Sequence, residues 1–158
     1  MLAWLGLFTI IVLLAAILSK RLSPLVALIA DLTGFHFAFI WNAQAMFPDA
    51  NNLSQPIVSN EKLKLLEAKV LAKCDALDGL ADGLIDDPRP CKFDAAKDLS
   101  LCSGVEAANC FTSQQIAALQ KIYGGARNRQ GQLYPGFHPG VESGWNVWLG
   151  EGNLENLI

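Results

Sequence analysis

The sequence predicts a mainly α fold: a small helical domain gathered around an aspartate-rich loop and cross-linked by disulfides. Three observations carry this. From Asn60 to about Ala72, Leu63, Leu66, Val70 and Leu71 recur at helical spacing and give one apolar face. Thr112-Ser-Gln-Gln115 reads as a capping box, in which Thr112 caps the amide of Gln115 and the Gln115 side chain reaches back. It opens a helix that turns Ile116, Leu119, Ile122 and Tyr123 inward and stops at Gly124-Gly125. Four cysteines without a Cys-x-x-Cys pair suit two disulfides rather than zinc.

In chain order, residues 1–21 form a hydrophobic N-terminal segment and residues 22–158 the folded domain. Leu2 to Leu18 carry no charge, and Lys20-Arg21 come directly after. That run is at the short limit of a membrane span, which needs about 17–25 residues. It reads as an anchor or as a signal without a basic start or clear cleavage site. Membrane contact, if there is any, runs through residues 2–18. Lys20-Arg21 would favour the cytoplasm for the domain beyond them, against the compartment that disulfides indicate. A second apolar stretch, Leu25 to Phe47, is interrupted by Asp31 and Gly34; its Phe35, Phe37, Phe39 and Trp41 form an aromatic cluster expected to pack within the domain or against a further core outside this chain. Pro48 to Pro56 is loop. In the helix opened by Asn60 as its cap, Lys62, Lys64, Lys69 and Lys73 are expected on the solvated side.

That helix feeds the loop Cys74 to Cys91, where Asp75, Asp78, Asp82, Asp86 and Asp87 precede any Lys or Arg. Carboxylates this dense repel, and a hard cation is their natural neutraliser; calcium takes six to eight oxygens at about 2.3–2.6 Å. Gly79 and Gly83 supply the left-handed backbone freedom needed to curl round an ion. Ile85 would turn inward and tie the loop to the core. Counted as an EF-hand from Asp78, the loop has Leu80 at position three and Arg89 at position twelve, so it is not one. Counted from Asp75, it offers Asp75, Asp78 and Asp82 interleaved with the carbonyls of Leu80 and Leu84. The plain alternative is an acidic surface turn, since Asp-Gly pairs form turns unaided. Of the three pairings open to four cysteines, Cys74–Cys91 would close this loop and Cys102–Cys110 a smaller one.

Phe93 to Ser103 reads as irregular or short helix, and Arg127 to Trp148 as an extended or looping tail with a short hairpin around Gly131. Fifteen acidic against twelve basic residues give a net charge of −3, with no basic stripe, so nucleic acid is not expected as a partner.

The segment Lys64 to Phe93, with Leu71-Ala-Lys-Cys-Asp-Ala-Leu-Asp-Gly at its centre, resembles the lid region of the tannase/feruloyl esterase family. The resemblance continues through Cys110-Phe-Thr-Ser-Gln-Gln, Lys121-Ile-Tyr-Gly-Gly-Ala-Arg and Leu133-Tyr-Pro-Gly-Phe-His-Pro-Gly-Val-Glu-Ser-Gly-Trp145, and upstream to Phe39-Ile-Trp-Asn-Ala-Gln. It covers about Asp31 to Leu149. It implies a lid-type domain normally inserted in an α/β-hydrolase fold, a calcium ion held by Asp75, Asp78, Asp82 and the carbonyls of Leu80 and Leu84, and both disulfides named above. It also implies that a hydrolase core precedes the lid, so the apolar N-terminal run stands where a complete member would have other sequence and has a third reading, the product of a truncated reading frame.

A serine esterase needs a nucleophile, a base and an acid in register. The family's nucleophile lies in a Cys-Ser-x-Gly-Gly turn upstream of the lid. Cys102-Ser103 lacks the glycine pair and lies downstream; the surroundings of Ser143 just miss Gly-x-Ser-x-Gly. His36 sits among aromatics and His138 in a turn, and neither reads as a base. No catalytic residue is therefore assigned, and the chain alone is expected to be inactive. Tyr134 and Trp145, among the aromatics near the C-terminus, are candidate walls for an aromatic acyl group, or else core. The expectation is a calcium-bearing lid from a secreted or extracytoplasmic ester hydrolase whose complete form acts on phenolic esters. The rival is a membrane-anchored calcium-binding module without catalysis.

Overall fold

The computed structural model describes the backbone of residues 23–151 and side chains from residue 32 onward. The segment 1–21, with its apolar run 2–18, lies outside the described residues. Among the described residues no helix is long and apolar enough to cross a membrane. The chain divides into two compact units, with the break between Phe37 and Ala38. Helix α1 (Ser23–Met46) continues through Asp31 and Gly34; a lone helical glycine costs only about 1 kcal/mol against alanine, too little to break it. In the first unit, Phe35 and Phe37 are exposed.

The second unit is helical, with one small hairpin. Helix α2 (Asn60–Cys74) begins one residue earlier than expected, because Ser59, not Asn60, is its cap: the Ser59 hydroxyl accepts from the Lys62 amide at 3.4 Å. Leu63, Leu66, Val70 and Cys74 are buried along one face. After a short helix α3 (Ala95–Asp98), helix α4 (Ser113–Gly124) starts with the expected capping box; Thr112 N–H donates to Gln115 at 2.9 Å and Gln115 N–H to Thr112 at 3.2 Å. Ile116, Leu119 and Ile122 are buried and Tyr123 half-buried. Strands β1 (Arg127–Asn128) and β2 (Gly131–Gln132) form the hairpin, Asn128 opposite Gly131.

Two further expectations are corrected. Lys62 is not on the solvated side: it is 5 % exposed. Its ammonium donates to the carbonyls of Ala107 and Cys110, lies 3.7 Å from Glu106 and sits 5.2 Å from the Phe111 ring centre. The long stem stays in the core while the charged end finds carbonyls. The tail is not merely looping either. A 3-10 turn (Glu142–Trp145) leads into helix α5 (Asn146–Leu149), and Glu142, Trp145 and Leu149 are buried.

The core joins the end of α1 (Ala45, Met46), α2, Phe111, α4 and the C-terminal Trp145 and Leu149. Both disulfides form in the expected pairing, Cys74–Cys91 and Cys102–Cys110, with Cα atoms 5.3 and 5.0 Å apart. Each cross-link of this kind stabilises by about 2–4 kcal/mol, chiefly by restricting the unfolded chain.

Candidate functional site

Helix α2 delivers Cys74 into the aspartate loop through a 3-10 turn (Asp75–Asp78), ended by Gly79 at φ +101°. Gly83, at φ +85°, makes the second left-handed bend. The Asp75 carboxylate reaches eight residues on and accepts from the Gly83 amide with both oxygens, each at 3.1 Å. Asp78 spans the same distance in sequence: Oδ1 accepts from Leu80 N–H and Oδ2 from Asp86 N–H, both at 3.1 Å. Asp82 makes a local turn with Leu84 N–H at 3.1 Å. The amides of Leu80 and Asp86 hold the Asp78 carboxyl below its usual range. Asp87 is served differently: the Arg89 guanidinium clasps it at 2.7 and 2.8 Å and lowers its carboxyl to about 2.

The structure thus brings Asp75, Asp78 and Asp82 into one curled loop with Leu80 and Leu84 between them. Among the described residues, none of these three pairs with a Lys, Arg or His. Nor do three or more acidic, His or Cys side chains converge there as a ready metal centre, because each aspartate is turned towards amides of its own loop. Cys74–Cys91 closes the neck. Beside it, the Lys73 ammonium donates to Asp98 Oδ2 at 2.6 Å and to the Lys92 carbonyl at 2.8 Å, fastening the end of α2 to α3. Ile85 is half-buried and packs on the core, so the loop is tied inward as its sequence suggested.

A second polar centre escaped sequence reasoning. Glu142 is fully buried; its carboxylate accepts from Tyr123 Oη at 2.6 Å and from Gly140 N–H at 3.0 Å on each oxygen. Next to it, Glu67 Oε1 accepts from Ser143 Oγ at 2.8 Å and from Ser143 N–H at 3.4 Å. Burial pushes the Glu142 carboxyl up against the pull of the Tyr123 and Gly140 bonds. Burial, and then the neighbouring Glu142 charge, raise the Tyr123 phenol well above its ordinary value. No spacing rule could have found this centre, since Glu67 and Ser143 lie 76 residues apart.

Trp145 is 4 % exposed, with its ring edge-on to Tyr123 and tilted against Phe137 at centroid distances of 5.4 and 5.3 Å, and Tyr134 is half-buried. In the described chain Trp145 is therefore a core ring. The serines and histidines set aside from the sequence have the following surroundings. Ser143 is bonded to a carboxylate, the His36 ring is paired with the Leu32 carbonyl at 2.6 Å, Ser103 is exposed, and His138 lies outside the buried core.

Residues 28–153 match the family model described as tannase and feruloyl esterase. The chain belongs to that family. An uncharacterized esterase of Xanthomonas campestris is 38% identical over 120 residues, which are 72% of this chain and 19% of that protein. A mono(2-hydroxyethyl) terephthalate hydrolase of Piscinibacter sakaiensis is 34% identical over 107 residues, 58% of this chain and 18% of its own length. Among solved structures, feruloyl esterase B from Aspergillus oryzae superposes with a TM-score of 0.58 at 23% identity, covering 73% of this chain and 24% of that one, a likeness of fold. This tannase/feruloyl esterase family chain spans about a fifth of the length of the curated relatives it matches. The match does not favour a free-standing calcium module.

Proposed function

We propose that this chain is the calcium-binding lid of an extracellular carboxylic ester hydrolase whose complete form cleaves phenolic esters. The observation that carries the reading is the family match across residues 28–153, which contain the whole aspartate loop. Two disulfides suit an oxidising, extracytoplasmic compartment.

The loop suits calcium in its donor chemistry. Asp75, Asp78 and Asp82 would supply carboxylates and Leu80 and Leu84 carbonyls, an all-oxygen set of the kind calcium takes, and Gly79 and Gly83 have the positive φ that lets such a loop curl. Asp75, Asp78 and Asp82 would hold the ion with those two carbonyls. To do so the carboxylates exchange loop amides for the metal, while the disulfide keeps the ends of the loop together. Bound there, calcium supplies charge neutralisation and a rigid cross-link.

In a complete member, ester cleavage by a serine acyl-enzyme route requires a nucleophile, base and acid that the described residues do not assemble. This chain contributes walls and rigidity instead. Tyr134, which is half-buried, would border an aromatic acyl group, and the buried Trp145 would back it from the core. The test is a chimera in which residues 31–149 replace the matching segment of the Xanthomonas campestris esterase. Hydrolysis of methyl ferulate or methyl gallate at the parent's level, lost on chelation, is the expected result. A folded chimera that binds calcium but has lost the parent's hydrolysis overturns the lid assignment.

A further inference from the structure

Of the nine asparagines in the chain, one alone has a serine or threonine two places on: Asn52, in Asn52-Leu53-Ser54. That tripeptide, with any residue but proline in the middle, is the acceptor form for N-linked glycans, and it belongs on a surface loop. The local structure puts it on one. Asn52 N–H donates to the Asp49 carbonyl at 3.1 Å and closes a turn over residues 49–52. Leu53 is half-buried and packs on the core, which fixes the chain just beyond the turn, while Asn52 beside it is exposed. The Ser54 hydroxyl donates to Asn52 Oδ1 at 2.8 Å, so the two defining residues of the tripeptide are already together. Among the described residues, nothing holds Asn52 Nδ2. Asn51, also exposed, differs on both counts: leucine stands two places on, and its Nδ2 donates to Asp49 Oδ1 at 3.2 Å. Asn52 also lies outside both disulfide-closed loops, so pairing of the cysteines does not shut it in.

We propose that Asn52 is an N-glycan acceptor site, served by a lipid-linked oligosaccharide diphosphate as donor. The proposal rests on the extracellular placement in the proposed function, because such donors meet chains that leave the cytosol. In the transfer, Asn52 Nδ2 attacks the anomeric carbon of the donor's first sugar. A carbon–nitrogen bond forms and the bond from that carbon to the diphosphate oxygen breaks. The lipid diphosphate leaves with the bonding pair, and one Nδ2 proton passes to a base of the transferase. The Ser54 hydroxyl is the part of the acceptor that the transferase must recognise besides the carboxamide. A glycan is bulky and solubilising, so it needs an attachment point that takes nothing from the core. Asn52 meets that need, since Leu53 and Ile57 make the packing contacts of this loop and Asn52 makes none of them.

The test is cell-free synthesis of the full chain behind a cleavable secretory signal, with microsomes that carry the oligosaccharide donor and its transferase. Chains enclosed by the microsomes, recognised by their resistance to added protease, should run as a single slower band on a reducing gel. Peptide N-glycosidase should return that band to the unmodified position and leave a carboxylate at residue 52, read by mass. Asn52→Gln and Ser54→Ala should each abolish the slower band; Asn51→Gln and Ser54→Thr should keep it. Enclosed wild-type chains that run unshifted overturn the proposal. So does a slower band that survives in Asn52→Gln or in Ser54→Ala. Modification takes place on the entering chain, so the reading does not depend on whether a variant folds. The added signal delivers the chain whatever its own compartment, so these outcomes bear on Asn52 alone, and the hydrolysis of the chimera decides the lid assignment separately.

Discussion

Ile85 of the aspartate loop lies against Gly140, its Cδ1 only 2.9 Å from where a β-carbon on Gly140 would stand. Gly140 has φ +103°, and its amide is the one bonded to Glu142. The acidic loop and the buried acid centre thus meet at a residue that has no side chain. Gly140→Ala meets both backbone strain and the isoleucine, and should destabilise by about 1–3 kcal/mol. Urea denaturation measures this. Repeated in an Ile85→Ala background, the same change should cost less, because only the strain remains; equal costs in both backgrounds would show that Ile85 yields freely.

Lys62→Met keeps the stem and removes the ammonium from the Ala107 and Cys110 carbonyls. Two acceptors are then left in a partly buried place, and the expected loss is roughly 2–3 kcal/mol. Lys64→Met, on the exposed face of the same helix, should change stability by less than about 0.5 kcal/mol. Parallel denaturation curves of the two variants decide whether the buried lysine is a structural clamp.

Calcium added to a sample shown to be metal-free should raise the melting temperature by several degrees; a hundredfold excess over Kd corresponds to about 2.7 kcal/mol. Asp78→Asn should shrink the gain. Asp87→Asn should leave it nearly intact, since Asp87 is already engaged by Arg89. Identical melting with calcium and with chelator would remove the metal from the proposed function.

Acid should attack the neck of the loop. The Lys73 bond, followed by the Asp94 amide, holds the Asp98 carboxyl below its usual range. A depressed carboxyl gives stability that is present above its unfolded value, about 3.9, and is lost as pH falls through the lower folded value. Melting tracked from pH 6 down to pH 2 should show this loss below about pH 4, and Asp98→Asn should be less stable at pH 6 and flatter below it. An Asp98→Asn curve parallel to the wild type across the range would assign the acid limb to other carboxylates.

What the sequence disclosed was local. The Thr112 box and the face of Leu63, Leu66 and Val70 come from spacing within one helix, and the curl of the aspartate loop from its glycines. Lys62 was misjudged because a lysine flanked by others reads as solvated; only the Cys102–Cys110 loop folding over α2 supplies its carbonyls. Glu142 was invisible for the same reason, since its partners Tyr123 and Glu67 come from two other helices. The helical turn at 142–149 was hidden by the Gly and Pro around it, which favour loops until burial of Trp145 and Leu149 draws the backbone in.

The Cys74–Cys91 bond makes the residues between its ends a closed covalent ring. A protease that cuts anywhere between residues 75 and 90 opens the ring without severing the chain. The two halves stay joined through sulfur, and α2 and α3 remain fastened by Lys73 and Asp98. Such a nick would be silent on a non-reducing gel and appear as two fragments only after reduction. For a protein exposed to foreign proteases, an exposed acidic stretch of its surface can be cleaved and still be retained.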